Sequence, residues 1–141
     1  MAAPIFTTSR IVEFRDTDAA GIVHFSVFLQ YMEQAEHEFL RKRGLSVMGS
    51  DEHGTLAWPR VAVNCDYRGS ARFEDTVEIE LSVDRLGDKS IRYRFVFRVA
   101  GVEIATGTMT TVCCREDGQG GYQSTAIPEW FRNKLNASPR P

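Results

Sequence analysis

Between residues 25 and 43 the apolar side chains fall at helical spacing, and beyond residue 60 they fall at every second position. That change of period constrains the architecture more than any other feature of the chain. Phe25, Phe28, Leu29, Met32, Ala35, Phe39 and Leu40 recur at steps of three and four, which builds one apolar face on a helix over 25–43. Arg41-Lys42-Arg43 places cations at the carbonyl end of the helix dipole, and Gly44 suits a left-handed exit. The later runs alternate: Val61, Val63, Cys65 and Tyr67, then Val77, Ile79, Leu81 and Val83, then Ile91, Tyr93, Phe95, Phe97 and Val99. A last run over 102–114 is rich in Thr and Val. Turn signals at Arg68-Gly69-Ser70, Leu86-Gly87-Asp88-Lys89 and Ala100-Gly101 keep the connections short. Neighbouring strands therefore pair antiparallel, because a parallel crossover takes a dozen residues or more. A short strand over Arg10–Phe14, anchored by Ile11 and Phe14, precedes the helix. A lone amphipathic helix has to bury its stripe on a sheet, so one strand, one helix and four further strands predict an α+β fold: a curved, five-stranded antiparallel sheet wrapped around one long central helix.

At 141 residues, 43% of them hydrophobic, the chain makes a single domain able to bury a core. The expected core spans about 8–115, followed by a loose tail over 116–141 in which Ile127–Leu135 forms a short helix and Asn136–Pro141 frays. With 17 Lys+Arg against 19 Asp+Glu, the chain lacks the bulk positive charge of a nucleic-acid binder. No apolar run reaches the ~18–20 residues of a membrane span, and the first residues lack the basic start and apolar segment of a signal peptide. The expectation is a cytoplasmic protein with no nucleic-acid or membrane partner. Cys65, Cys113 and Cys114 are odd in number and two are adjacent, which suits reduced structural thiols better than disulfides. His24, His37 and His53 show no ligand spacing, so no metal is expected.

Signatures for phosphate cradles, serine hydrolases and zinc hydrolases are absent. What remains is Asp16-Thr17-Asp18-Ala19-Ala20-Gly21-Ile22-Val23-His24 at the strand-to-helix junction. A calcium loop would also open D-x-D with Gly sixth, but its fifth and twelfth positions here are Ala20 and Val27, which supply no ligand oxygen from a side chain. Helix capping is the plain reading, since acidic and small residues satisfy the free N–H groups of a first turn. The chemical reading is a carboxylate held beside a helix N-terminus that binds developing negative charge, the pairing acyl transfer requires. From these residues alone, capping and chemistry both stand.

The Asp16–Val23 motif, followed by an aromatic-rich helix containing Glu33, resembles the acyl-CoA thioesterases of the 4-hydroxybenzoyl-CoA thioesterase type. Tyr67, Phe73 and Asp75 also stand where that family tends to have tyrosine, an aromatic residue and aspartate. The resemblance covers roughly residues 8–115. It implies a hot-dog fold and hydrolysis of the thioester of a small aromatic or short- to medium-chain acyl-CoA. It also implies no cofactor, coenzyme A being part of the substrate, and a homodimer or dimer of dimers whose sites lie between subunits. By the same resemblance, Asp18 is the nucleophile or general base, and the backbone N–H of Phe25 polarises the carbonyl. Asp16 orients the loop and Gly21 lets the backbone turn close to substrate. His24 and Val27 depart from the pattern, where many members carry an aromatic residue and Asn. They leave two roles for His24, a hydrogen bond to the acyl group or a junction residue, and they keep a non-catalytic acyl-CoA-binding module as the alternative.

Independently of any family, a thiolate whose acid has a pKa of about 8.5 departs with little acid help, so one carboxylate and one oxyanion site suffice for a thioester. Glu33, at helical spacing from Leu29 and Leu40, has two readings, a carboxylate that edges toward the site and a solvated helix carboxylate, the second favoured. Arg85, Lys89, Arg92, Arg94 and Arg98 cluster on one hairpin, most of them as a solvated outer face. Lys89, at the turn, is the candidate for a coenzyme A phosphate. An uncovered sheet edge invites pairing, which predicts a dimer at least.

Overall fold

The computed structural model describes residues 6–136. The chain enters as β1 (Phe6–Ile11), makes a 3-10 turn (Phe14–Asp16) and forms helix α1 (Val27–Lys42). It continues through β2 (Ser50–Asp51), β3 (Gly54–Ala57), β4 (Arg60–Tyr67), β5 (Thr76–Leu86), β6 (Ser90–Val99) and β7 (Val102–Val112). β8 (Cys114–Glu116), β9 (Tyr122–Ser124) and helix α2 (Glu129–Asn136) close it. The main sheet runs β1-β5-β6-β7-β4 with every pairing antiparallel, and β2, β3, β8 and β9 form a smaller second sheet.

The two periodicities meet face to face. Val77, Ile79 and Leu81 of β5 and Ile91, Tyr93, Phe95 and Phe97 of β6 are buried together with Phe28, Met32, Ala35, Phe39 and Leu40 of α1. Phe28 and Phe97 meet edge to face at 5.2 Å between centroids. Gly107 of β7 marks where the helix comes closest to the sheet, since a Cβ there would fall 2.1 Å from Cε of Met32. The alternate residues of β5 and β6 point the other way and pair across strands, Arg98 with Glu80 at 2.6 Å and Arg92 with Asp84 at 2.9 Å. The β6–β7 hairpin turns on Ala100 and Gly101, both at positive φ (49° and 79°), the geometry of a two-residue hairpin turn.

Several boundaries differ from expectation, each for a local reason. The first strand lies at 6–11 and not at 10–14, because the chain turns after Val12. Glu13 and Asp16 exchange hydrogen bonds there, Asp16 N–H to Glu13 O and Glu13 N–H to Asp16 Oδ2, both 2.9 Å. The core residue of this stretch is Val12, whereas Ile11 and Phe14 are exposed. α1 begins at Val27, with Phe25 and Ser26 as a turn ahead of it, Val27 N–H donating to His24 O at 2.9 Å. Residues 116–136 are more than a loose tail. Ile127, Phe131 and Leu135, spaced by four, are buried in the core, and Phe131 lies 4.8 Å from Trp58 between centroids. Asp51 holds this end down, taking Arg115 through both oxygens at 2.8 Å and Trp130 Nε1 at 2.9 Å. The fraying expected at 136–141 concerns residues that, beyond Asn136, lie outside the described ones. β4 is the edge of the main sheet, and its alternating apolar residues are not covered: Val61 is 59% and Val63 47% exposed. Among the described residues no helix is long and apolar enough to cross a membrane.

Candidate active site

The junction segment folds back on itself as a small hairpin. Asp18 N–H donates to Ile22 O at 2.9 Å and His24 N–H to Asp16 O at 2.8 Å. Between them, Gly21 N–H closes the turn on Asp18 O at 2.9 Å, and Asp18 Oδ1 accepts from Ala20 N–H at 2.8 Å. Gly21 sits at φ +78°, while a Cβ there would meet Arg72 Nη1 at an ordinary 3.6 Å. Backbone conformation, and not a lack of room, is what demands glycine at this position. The hairpin leans on the loop before β5, with Val23 N–H donating to Ala71 O at 2.8 Å and Asp75 Oδ2 accepting from Arg72 N–H at 2.8 Å.

The two carboxylates of the motif face different surroundings. Asp16 Oδ2 accepts from Glu13 N–H at 2.9 Å and from the Tyr31 hydroxyl at 3.1 Å, tying the hairpin to α1. Burial, and then the charge of Asp16, hold the Tyr31 phenol well above its ordinary range. Asp18 makes its one side-chain hydrogen bond to its own turn and leaves Oδ2 unengaged among the described residues. Two carboxylates separated by one residue thus divide into one built into the loop and one presented from it.

The helix start carries the complementary groups. Ser26 N–H donates to His24 Nδ1 at 3.2 Å, and the Ser26 hydroxyl lies 2.7 Å from the same nitrogen. With Nδ1 accepting, the neutral imidazole carries its proton on Nε2. Its ring lies 4.5 Å from that of Phe25 at 30°. Phe25 is 64% exposed, its carbonyl accepts from the Tyr67 hydroxyl at 2.7 Å, and its N–H has no hydrogen-bond partner among the described residues. Burial, followed by the Cys65 thiol, pushes the Tyr67 phenol up to about 12, so it remains a donor to that carbonyl. Asp16, Asp18, Gly21, His24 and Phe25 therefore share one hairpin and the turn it feeds.

Lys89 does not join them within the chain. It sits in the β5–β6 turn, its carbonyl accepting from Cys113 N–H at 2.7 Å. The hairpin adjoins the Thr76 end of β5, and the strand's 11 residues carry the sheet roughly 30 Å from there to the Lys89 end.

Sequence reasoning missed a buried charge. Glu36 is 1% exposed, in the middle of the apolar face of α1, with the Arg60 guanidinium against its carboxylate and the fully buried Tyr93 hydroxyl bonded to it. Burial pushes its carboxyl up to about 7 despite the opposing pull of Arg60. Spacing could have flagged it: residue 36 lies four from both Met32 and Leu40, as Tyr31 lies three from Phe28 and four from Ala35. Glu33, by contrast, is exposed and reaches Arg60 Nη2 at 3.5 Å. Among the described residues, no group of three His, Cys, Asp or Glu side chains is placed to hold a metal ion.

The model of the Thioesterase-like superfamily matches residues 12–135. A 1,4-dihydroxy-2-naphthoyl-CoA hydrolase of Synechococcus sp. (strain CC9605) is 37% identical over 142 residues, covering 97% of this chain and 93% of that protein. Among solved structures, a gentisyl-coenzyme A thioesterase superposes with a TM-score of 0.79 at 29% identity, over 92% of this chain and 99% of that one. A 4-hydroxybenzoyl CoA thioesterase bound to 4-hydroxybenzoyl CoA superposes with a TM-score of 0.83 over 95% of this chain and 100% of that one, and at 21% identity this likeness concerns the fold alone.

Proposed function

The chain belongs to the thioesterase-like superfamily, and on that premise we propose that it is an acyl-CoA thioesterase with Asp18 at the centre of the chemistry. The observation that carries the reading is that one hairpin and the turn it feeds present both Asp18, whose second oxygen is unengaged among the described residues, and a Phe25 N–H that has no partner among them. Asp18 attacks the thioester carbonyl or activates a water against it. The Phe25 N–H, backed by the positive end of α1, takes the charge that develops on the carbonyl oxygen. Tyr67 holds the Phe25 backbone in place from β4, and Asp16 with Tyr31 fixes the hairpin that presents Asp18. Coenzyme A leaves as its thiolate, so neither a general acid nor a metal is required. His24, with its Nε2 proton free of the Ser26 contacts, supplies a donor beside the acyl group.

The acyl group is small and aromatic, or of short to medium length, and relatives at 37% and 29% identity are named for aromatic CoA esters. The working unit is a homodimer or a dimer of dimers. The apolar residues on the β4 edge, Val61 and Val63, together with exposed Phe25 and Tyr67, make one uncovered band beside the site. Colorimetric thiol release from benzoyl-, hydroxynaphthoyl- and aliphatic CoA esters tests the reading. Wild type hydrolyses at least one of them, and Asp18→Asn lowers kcat by about 10²- to 10⁴-fold, the usual worth of a positioned acid–base group. Equal rates for both proteins on every ester would remove Asp18 from the mechanism. Tight binding of the esters without turnover would make the chain an acyl-CoA-binding module.

A further inference from the structure

Two hollows lie along α1 beyond the hairpin, of about 360 and 340 Å³. Trp58, Leu56, Met48 and His37 line the first, and Leu29, Gln30, Val63 and Met109 line the second. Glu33 and Arg60 belong to both linings, so this one ion pair stands where the two hollows meet. Leu29, Glu33 and His37 follow one another at steps of four, which makes the groove a stripe down one side of the helix. Glu33 lies seven residues from Ser26, about 10 Å along the axis from the helix start.

The two ends of the Arg60 guanidinium are held very differently. On the inner side, Nη1 donates to Trp58 O at 3.0 Å and to Glu36 Oε2 at 3.4 Å, and Nη2 donates to Glu36 Oε1, the same carboxylate being bonded to buried Tyr93. On the outer side, Nη2 has only the long 3.5 Å contact to Glu33, whose side chain is 54% exposed. Exposed pairs of this kind are weakly held. A buried carboxylate thus anchors a cation whose outer edge is free to exchange partners. Nearby, the indole N–H of Trp58, a residue only 8% exposed, has no hydrogen-bond partner among the described residues. A polar ligand group is what such a lining accommodates.

We propose that the Glu33–Arg60 pair is the specificity element of this thioesterase, reading a hydroxyl on the acyl group that enters the groove. This rests on the thioesterase reading above. A hydroxyl both accepts and donates, so it fits between the two partners, accepting from Arg60 Nη2 and donating to Glu33 Oε2. A plain hydrocarbon leaves Arg60 with its long contact alone. A carboxylate accepts from Arg60 but meets Glu33 as a like charge, so the pair also rejects an acid. Glu36 and Tyr93 act through Arg60 as positioning residues.

The test is the ratio of kcat/KM for hydroxybenzoyl- and hydroxynaphthoyl-CoA esters over their unsubstituted parents, measured within each protein so that a general loss of rate cancels. A carboxybenzoyl-CoA ester completes the panel. Wild type favours at least one hydroxylated ester over its parent by about tenfold or more, the scale of one hydrogen bond to a charged group. Glu33→Gln lowers that preference and relieves the discrimination against the carboxylated ester. Arg60→Met alone would strand a buried carboxylate, so the decisive protein is the double variant Glu36→Gln/Arg60→Met, which keeps an acceptor for Tyr93. Folded by circular dichroism, it loses the hydroxyl preference. The proposal is overturned if the folded double variant keeps the wild-type ratio, or if wild type hydrolyses parent and hydroxylated esters alike. If wild type turns over no ester at all, the thioesterase reading falls and the proposal with it, a result distinct from either of those.

Discussion

Neutralising Glu36 should make the protein increasingly more stable as pH rises from about 4.5 through 7 and leave it unchanged near pH 4. In the folded chain its carboxyl titrates at about 7, against 4.5 for the free side chain, because burial outweighs the attraction of Arg60. Glu33 adds repulsion, Tyr93 donates a hydrogen bond, and His37 Nε2 lies 3.7 Å from Oε1. A carboxyl with a raised folded value binds its proton more tightly when folded. Its stabilising contribution is therefore complete below about pH 4.5 and is lost as pH rises through 7. At 1.36 kcal/mol per pH unit, the interval comes to about 3 kcal/mol. For a chain of 141 residues that corresponds to about 10 °C in Tm. Glu36→Gln keeps acceptors for Arg60 and Tyr93 while removing the charge that has to be desolvated. Differential scanning calorimetry of wild type and variant at half-unit steps from pH 4 to 8 gives the difference curve, in which every other titrating group cancels. The two Tm values should coincide near pH 4 and separate progressively, the variant finishing higher by up to about 10 °C. A flat difference, or one that opens toward acid, would refute the assignment of a desolvated carboxylate held partly by Arg60.

Three other substitutions probe separate parts of the reading. Tyr67→Phe removes the hydroxyl that holds the Phe25 carbonyl at 2.7 Å. Thiol release should show kcat reduced by about 3- to 10-fold, the scale of one neutral hydrogen bond, with Tm little changed. Gly107→Ala forces Met32 Cε from a position 2.1 Å away and sets the new methyl 3.1 Å from the Asn64 carbonyl, so thermal unfolding should report a loss of about 1–3 kcal/mol. Val63→Arg puts a charge on the uncovered β4 edge. Light scattering should find the variant at the mass of one chain where wild type has at least twice that, and a wild type that is already monomeric defeats the edge-pairing reading.

The period change from three-and-four to two was enough to recover α1 and the four strands β4 to β7, because side-chain direction repeats with a fixed period in each, and in β5 and β6 direction also decides burial. Ile79, Leu81, Phe95 and Phe97 point inward where alternation puts them. The hairpin motif was legible for a similar reason: Gly21 has to take a positive φ, and Asp18 closes its own turn, so both positions declare local geometry in their residue type. Three things were not legible, and each depends on distance in space. Alternation in β4 predicts an inward apolar face, but whether that face is covered depends on the strand being last in the sheet, which no run of residues states about itself. Lys89 falls in a turn, as expected, yet which end of the sheet that turn occupies follows only from β1 pairing with β5 with Ile11 opposite Thr76. Glu36 is the sharpest case. Its place on the helical stripe says inward and its charge says outward, and that conflict is resolved by Arg60, 24 residues further on, and by Tyr93 on β6. An acidic residue in the centre of an apolar stripe is therefore best read as a demand for a partner elsewhere in the chain. Here the strand bearing that partner, β4, also carries Tyr67, so one edge strand holds the Phe25 backbone at one end and the groove's guanidinium at the other.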